Sequence, residues 1–242
     1  MRNGRTGQAA VLLKSGKVLM VGGGKQTPFF GGSQSGPATI SPEVYDPATD
    51  TWSTVASQAL DRQLSPTATL LPDGRVLLVG GQLGSQPVEQ SEVYDPASNS
   101  WTPVPADPRF TARQFHTATL LPDGRVLVAG GQNANSPTAA ASLYNPVTNS
   151  WQIGPNMNEA RCGQGAALLT DGKVLVAGSG CDFHAYSAGV DEFDLASNRW
   201  TRVVSLNAPL GGIAVALGGG GALFIGATVV RYQGDVEMFG PA

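Results

Sequence analysis

Three arginines occupy matching places in this chain: Arg113 lies 108 positions after Arg5, and Arg161 lies 48 positions after Arg113. A guanidinium offers five donors in a planar fork that fits a carboxylate or a sulfate, so arginines gathered round one axis would suit an acidic or sulfated sugar or a small acid. The competing use is structural, with the same donors capping backbone carbonyls in linkers, and repetition favours it because an active site needs asymmetry. His116 follows Arg113 by three positions, as Gln8 and Gln164 follow the other two arginines.

A second group has no counterpart elsewhere in the chain. The stretch "CDFHAYSAG" concentrates Asp182, His184 and Tyr186, and "KQTPFFGGSQSGPATISP" carries Phe29 and Phe30. These nine residues (Arg5, Arg113, His116, Arg161, Asp182, His184, Tyr186, Phe29 and Phe30) are the ligand-binding candidates. None is assigned a catalytic role. No metal site is expected, since the spacing of Cys181, Asp182 and His184 matches no zinc pattern and a fourth ligand is missing. Cys162 and Cys181 are the only cysteines. Counted outward from a turn in which Thr170 pairs with Lys173, they face each other. An exported protein would bridge them and a cytosolic one would keep both thiols, so their state is open. "GGGKQT" is not a phosphate loop, because Leu19 stands where the first Gly belongs and Gln26 where Ser or Thr should follow the Lys.

The elements that carry these residues recur at a fixed beat. Trp52, Trp101, Trp151 and Trp200 are spaced by 49, 50 and 49 residues. An aromatic precedes each by seven positions, at Tyr45, Tyr94, Tyr144 and Phe193. Glycine pairs follow the same beat at Gly22-Gly23, Gly80-Gly81 and Gly130-Gly131, weakening to Gly178-Ser179 and Gly226-Ala227, with the first spacing stretched to 58 by the insertion from Lys25 to Pro42. Each unit reads as four short strands. In the third unit they are "HTATLL", then across "PDG" the nearly continuously apolar "RVLVAGG", then "ASLYNP" and "WQIG". Asp-Gly is expected to supply the positive φ angles of a tight hairpin, and the unbroken apolar run reads as a strand buried on both faces. A sheet with two apolar faces cannot stand alone in water; stacked copies bury one another.

Hydrophobic-Gly-Gly closing the second strand, Tyr in the third and Trp in the fourth, at a period of about 50, resemble the Kelch repeats of β-propellers, in particular bacterial ones similar to the central domain of galactose oxidase. The resemblance implies an all-β Kelch propeller of five repeats of four antiparallel strands, near residues 1–55, 56–105, 106–154, 155–204 and 205–242, in one domain. The last repeat lacks its fourth strand. The expectation is either a ring closed without that strand or a piece of a longer propeller. The copper chemistry of galactose oxidase would need two histidines, two tyrosines and a Cys-Tyr crosslink, and two histidines are all this chain has. No cofactor is expected.

Composition limits the partners. Charged residues are 14% of the chain and the net charge is −3, with Lys and Arg scattered singly, which argues against a nucleic acid. No apolar run of about 18 residues is present to span a bilayer. Compartment is open. In a propeller of this strand order the loops between second and third strands, and the linkers between repeats, share one face; there the copies diverge. The expected function is a non-catalytic scaffold presenting that face to a protein or glycan partner. The alternative is an enzyme acting on a carbohydrate or small acid at the channel mouth.

Overall fold

The computed structural model describes residues 4–24, 41–84, 86–106, 112–133, 136–180, 187–206, 211–217, 221–227 and 234–239. Phe29, Phe30, Cys181, Asp182, His184 and Tyr186 lie outside them. No helix among the described residues is long and apolar enough to cross a membrane. The chain divides into two compact units, Met1–Gln114 and Phe115–Ala242.

In the first unit β1 (Ala9–Leu12), β2 (Val18–Val21), β3 (Glu43–Asp46) and β4 (Thr51–Thr54) form one antiparallel sheet in chain order. A second sheet is built from β5 (Thr67–Leu70) and β6 (Val76–Val79), followed, after the small ribbon of β7 (Gln82–Leu83) and β8 (Gln86–Pro87), by β9 (Glu92–Asp95) and β10 (Ser100–Pro103). The ribbon is an addition that the repeat pattern does not announce.

The second unit holds β11 (Thr117–Leu120), β12 (Val126–Ala129), β13 (Ala141–Asn145) and β14 (Ser150–Ile153), then β15 (Gly165–Leu168), β16 (Val174–Ala177), β17 (Gly189–Asp194) and β18 (Arg199–Ser205), again four to a sheet. A three-stranded sheet follows, of β19 (Gly211–Ala216), β20 (Ala222–Ala227) and β21 (Gly234–Phe239).

The turn between first and second strands differs from the two-residue hairpin expected. In "LPDGR" the N–H of Leu71 donates to Arg75 O and that of Gly74 to Leu71 O, at 2.8 and 2.9 Å. Only the Gly has positive φ, 96° at Gly74. The Asp instead accepts the backbone N–H of Arg75 on its carboxylate. This is a three-residue loop, a type I turn closed by a left-handed Gly.

The loop shifts the register by one. β15 and β16 pair Gly165 with Ala177 and Leu168 with Val174, which carried outward puts Cys162 opposite Gly180 rather than Cys181. Gly180 N donates to Cys162 O at 2.8 Å.

At the other turn the repeat aromatics pair directly across strands. Tyr45–Trp52, Tyr94–Trp101, Tyr144–Trp151 and Phe193–Trp200 have ring centroids 5.0, 4.9, 5.3 and 5.1 Å apart. The tyrosine hydroxyls of Tyr94 and Tyr144 donate to Asn99 and Asn149, which sit in the left-handed region that Asn tolerates. The indole N–H of Trp101 reaches back to Ala56 O, just past β4, and that of Trp200 to Pro155 O, just past β14. Trp101 and Trp200 therefore each fasten their sheet to the one before it.

Within each unit the core lies between sheets. Leu13, Leu19 and Val44 meet Val76 and Tyr94. Leu127, Ala129 and Leu143 meet Val174, Val176 and Phe193. Ala167, Leu175 and Ala177 meet Ala214, Ala222 and Phe224. The second strands β6, β12 and β16 are buried at every position, as their unbroken apolar runs require.

Candidate functional site

Arg5 and Arg161 lie in the linkers that lead into β1 and β15, with their side chains buried. Arg5 donates to Gly22 O at 3.2 Å, to Ser41 O at 3.0 Å and to the Glu43 carboxylate at 2.7 Å. Arg161 donates to Gly178 O at 3.1 Å, to Ser187 Oγ at 3.3 Å and to Asp191 at 3.1 Å. One guanidinium thus bridges the end of the second strand and the start of the third in its own sheet.

The second sheet uses Arg62, where a fixed offset from the other copies points to Gln63. Arg62 donates to Gly80 O at 2.6 Å, to Gln90 O and to Glu92 at 3.2 Å. The left-handed residue of the linker stands two positions after Arg5, Arg113 and Arg161, at Gly7, Phe115 and Gly163, but three after Arg62, at Ser65. One extra linker residue displaces the alignment.

The carboxylates were readable too, two positions before each repeat aromatic in "EVY", "EVY" and "DEF". In the third sheet Ser142 takes that place. Arg113 is fully buried, and burial pushes its guanidinium down to about 10. Burial also lowers Arg62 and Arg161, with Glu92 and Asp191 pulling the other way. His116 is buried at the head of β11, and Gln164 at the matching place of β15 donates to Ala129 O of the preceding sheet at 2.8 Å.

Backbone contacts complete the clamp. The N–H of Gly23 donates to Arg62 O, that of Gly81 to Arg113 O and that of Gly131 to Arg161 O, at 2.9, 3.0 and 2.7 Å. The second glycine of each pair therefore binds the main chain of the next repeat's arginine. Ser179 breaks the series after the fourth sheet, and close by Cys162 is disulfide-bonded.

The fourth sheet adds charges the others lack. Arg202 donates through Nε to Asp191 at 2.8 Å and through Nη2 to Glu159 at 2.8 Å. Glu159 also lies 3.2 Å from Arg161 and accepts the Ser187 hydroxyl. Asn158 donates to Asp191 at 2.9 Å. Asp191 is buried, whereas Glu159 and Arg202 are partly open to solvent. Two arginines and two carboxylates thus form one cluster with Ser187, the first described residue after Tyr186 in the sequence. Nothing in the sequence marks Arg202, two positions past the repeat tryptophan, as part of it.

Burial pushes the Asp191 carboxyl up, but hydrogen bonds from Arg202 and Asn158 and the Arg161 charge outweigh it and hold the group below its ordinary value. Glu159 is lowered in the same way, burial being outweighed by Ser187, Arg202 and Arg161. A carboxylate depressed on folding contributes stability above its unfolded pKa and loses it as pH falls through the folded value. Arg202→Gln should therefore lower the urea midpoint most above about pH 5, and the gap to wild type should close as pH falls below about 4. A gap independent of pH would remove this ion cluster as its cause.

Among the described residues no three His, Cys, Asp or Glu gather as a metal site. A cleft of about 550 Å³ lies in the first unit at the turn ends of the strands, lined by Lys14, Lys17, Val44, Asp73 and Asp95. It sits at the opposite strand ends from the arginine clamps.

The repeated clamp, the Tyr–Trp pairs and the Gly-Gly strand ends now stand together in successive sheets. The family model of the KLHDC2/KLHL20/DRC7 Kelch-repeats domain matches residues 20–211. The chain belongs to the Kelch-repeat family. Its fold is the Kelch-type β-propeller fold, as two solved structures also indicate. The structure of YjhT matches with a TM-score of 0.72 at 15% identity, over 94% of this chain and 75% of that one. A novel fungal alcohol oxidase with catalytic diversity among the AA5 family, solved in complex with copper, matches with a TM-score of 0.57 at 14% identity, over 96% of this chain and 61% of that one. At these identities the likeness is one of fold alone. No curated protein matches the sequence.

Proposed function

We propose that this Kelch propeller is a non-catalytic binding scaffold that presents its variable loops to a protein or glycan partner. The observation that carries this reading is the arginine clamp. The guanidinium Nη groups of Arg5, Arg62 and Arg161 are all engaged inside their own sheets, on carbonyls and on Glu43, Glu92 and Asp191. They hold a rigid platform; recognition is left to the loops that begin at Lys25, Gln82, Gln132 and Cys181, where the repeats diverge.

The loop from Cys181 is the favoured contact, because Asp182, His184 and Tyr186 have no counterpart in the other repeats and lead in sequence directly to Ser187, which joins Glu159 and Arg161. Cys181 is the partner we assign to Cys162, a bridge that would tie this loop to the arginine linker. A glycan array and an affinity capture with the intact chain test the reading. His184→Ala and Tyr186→Ala should each weaken binding at least about tenfold with the unfolding midpoint unchanged, as expected for contact residues on a rigid frame. Binding untouched by both would overturn it.

The second reading, an enzyme acting on a carbohydrate or small acid, draws on the part-exposed Glu159 bonded to the Ser187 hydroxyl. It predicts turnover lost in Glu159→Gln, where the scaffold reading predicts no turnover at all.

A further inference from the structure

The cleft between the first two sheets stands where the repeat departs from its own pattern. Its floor is apolar, made by Leu13, Val44, Val55 and Tyr94, and its volume of about 550 Å³ is that of a small-molecule site. Between the third and fourth sheets Leu143 and Gln152 hold the places of Val44 and Ser53, since β13 pairs Leu143 with Gln152 as β3 pairs Val44 with Ser53. Leu195 holds the place of Pro96 there and packs against the cluster of Leu121 and Leu143. The cleft thus lies where three smaller side chains replace larger ones.

The first-sheet wall has also changed charge. Its turn reads "KSGK" from Lys14 to Lys17, where the next three repeats read "PDGR", "PDGR" and "TDGK". A lysine has come in and the turn aspartate has gone, so this turn alone of the four is net positive. Lys14 reaches over the facing turn, its Cδ 3.3 Å from where a Cβ on Gly74 would stand, and its ammonium donates to Pro72 O. It makes no ion pair among the described residues. With one donor of three on a neutral carbonyl, it keeps its charge for a ligand. Lys17 pairs with Asp46 at 3.0 Å, but both are open to solvent, and such a pair exchanges partners at little cost. The carboxylates of the facing wall are turned to their own chain. Asp73 accepts the backbone N–H and guanidinium of Arg75, and Asp95 accepts the Ala97 N–H and the Ser98 hydroxyl.

We propose that this cleft is a second binding site, for a small carboxylate on an apolar body, such as an aliphatic or arylalkyl acid. The carboxylate sits on Lys14 and Lys17 and the body on Leu13, Val44, Val55 and Tyr94. The Ser15 and Ser53 hydroxyls at the rim can donate to it as well. Lying at the strand ends opposite the arginine clamps, the site is independent of the loops proposed above for a protein or glycan.

Calorimetric titration of the intact chain with octanoate and hydrocinnamate tests this, with octylamine as the control of like body and opposite charge. Octanoate should bind with Kd of about 1 mM or tighter at low ionic strength, and octylamine at least about tenfold more weakly. The double variant Lys14→Pro, Ser15→Asp restores the turn of the next two repeats and should weaken octanoate at least about tenfold. Lys14→Met serves where that variant fails to fold. Ser53→Gln, which borrows the residue of the third sheet, should weaken octanoate by narrowing the cleft. No binding of either acid at about 10 mM, octylamine that binds as well as octanoate, or octanoate that binds the turn variant as tightly as wild type would overturn the proposal.

Discussion

Replacing Arg62 by Ala is expected to cost about 3–5 kcal/mol of stability, the range for breaking a buried ion pair from one side. Both side chains are fully buried. Without the guanidinium, Glu92 keeps the Ala59 N–H at 2.7 Å but no cation, and the carbonyls of Gly80 and Gln90 lose a donor. Arg62→Lys should recover little, since an ammonium on a flexible stem cannot span two carbonyls and a carboxylate as the fork does. Arg62→Met combined with Glu92→Leu should recover much of the loss, because removing both charges leaves no unpaired one. Urea midpoints of the four proteins measure this. A loss under about 1 kcal/mol for Arg62→Ala would mean that the clamp does not hold the sheet. Full stability with lost binding would make the arginine a ligand residue instead.

The clamp also marks where reading the sequence succeeds and where it stops. The tryptophan interval, the glycine pairs and the apolar second strands were legible because each sheet solves one packing problem with the same residues. Trp101 pairs with Tyr94 and Trp151 with Tyr144 for that reason. Arg62 was missed because counting assumes equal linkers, and the linker before β5 holds one residue more. The hairpin register was misplaced by one because Asp-Gly suits two turn lengths, and the choice here is the longer, with Gly alone left-handed. Thus Cys162 stands across from Gly180, yet it is disulfide-bonded all the same. Glu43, Glu92 and Asp191 were in plain view, but a strand pattern reads alternate residues as inner or outer. It does not say that an inner acid has an arginine waiting from the linker.

Gly130→Ala should be strongly destabilising for a single added methyl group. Gly130 has φ of +63°, and a Cβ there would lie 2.8 Å from Arg161 O and 2.4 Å from Gln164 Nε2. The left-handed backbone alone costs an alanine about 1–2 kcal/mol. The clash adds to it, because Arg161 O is fixed by the N–H of Gly131 at 2.7 Å and the Gln164 amide is bonded to Ala129 O. Relief means moving β15 away from β12 or breaking one of these bonds, so the total should reach about 3 kcal/mol or more. Gly16→Ala is the control: φ is +79° but nothing stands within 4 Å of its Cβ. It should cost only the backbone share, about 1–2 kcal/mol. If the two variants share one urea midpoint, the glycine pair serves the turn of its own strand. If Gly130→Ala falls well below Gly16→Ala, the pair is there to let the next repeat's arginine linker lie against the strand, and the Gly-Gly signature belongs to the joint between sheets.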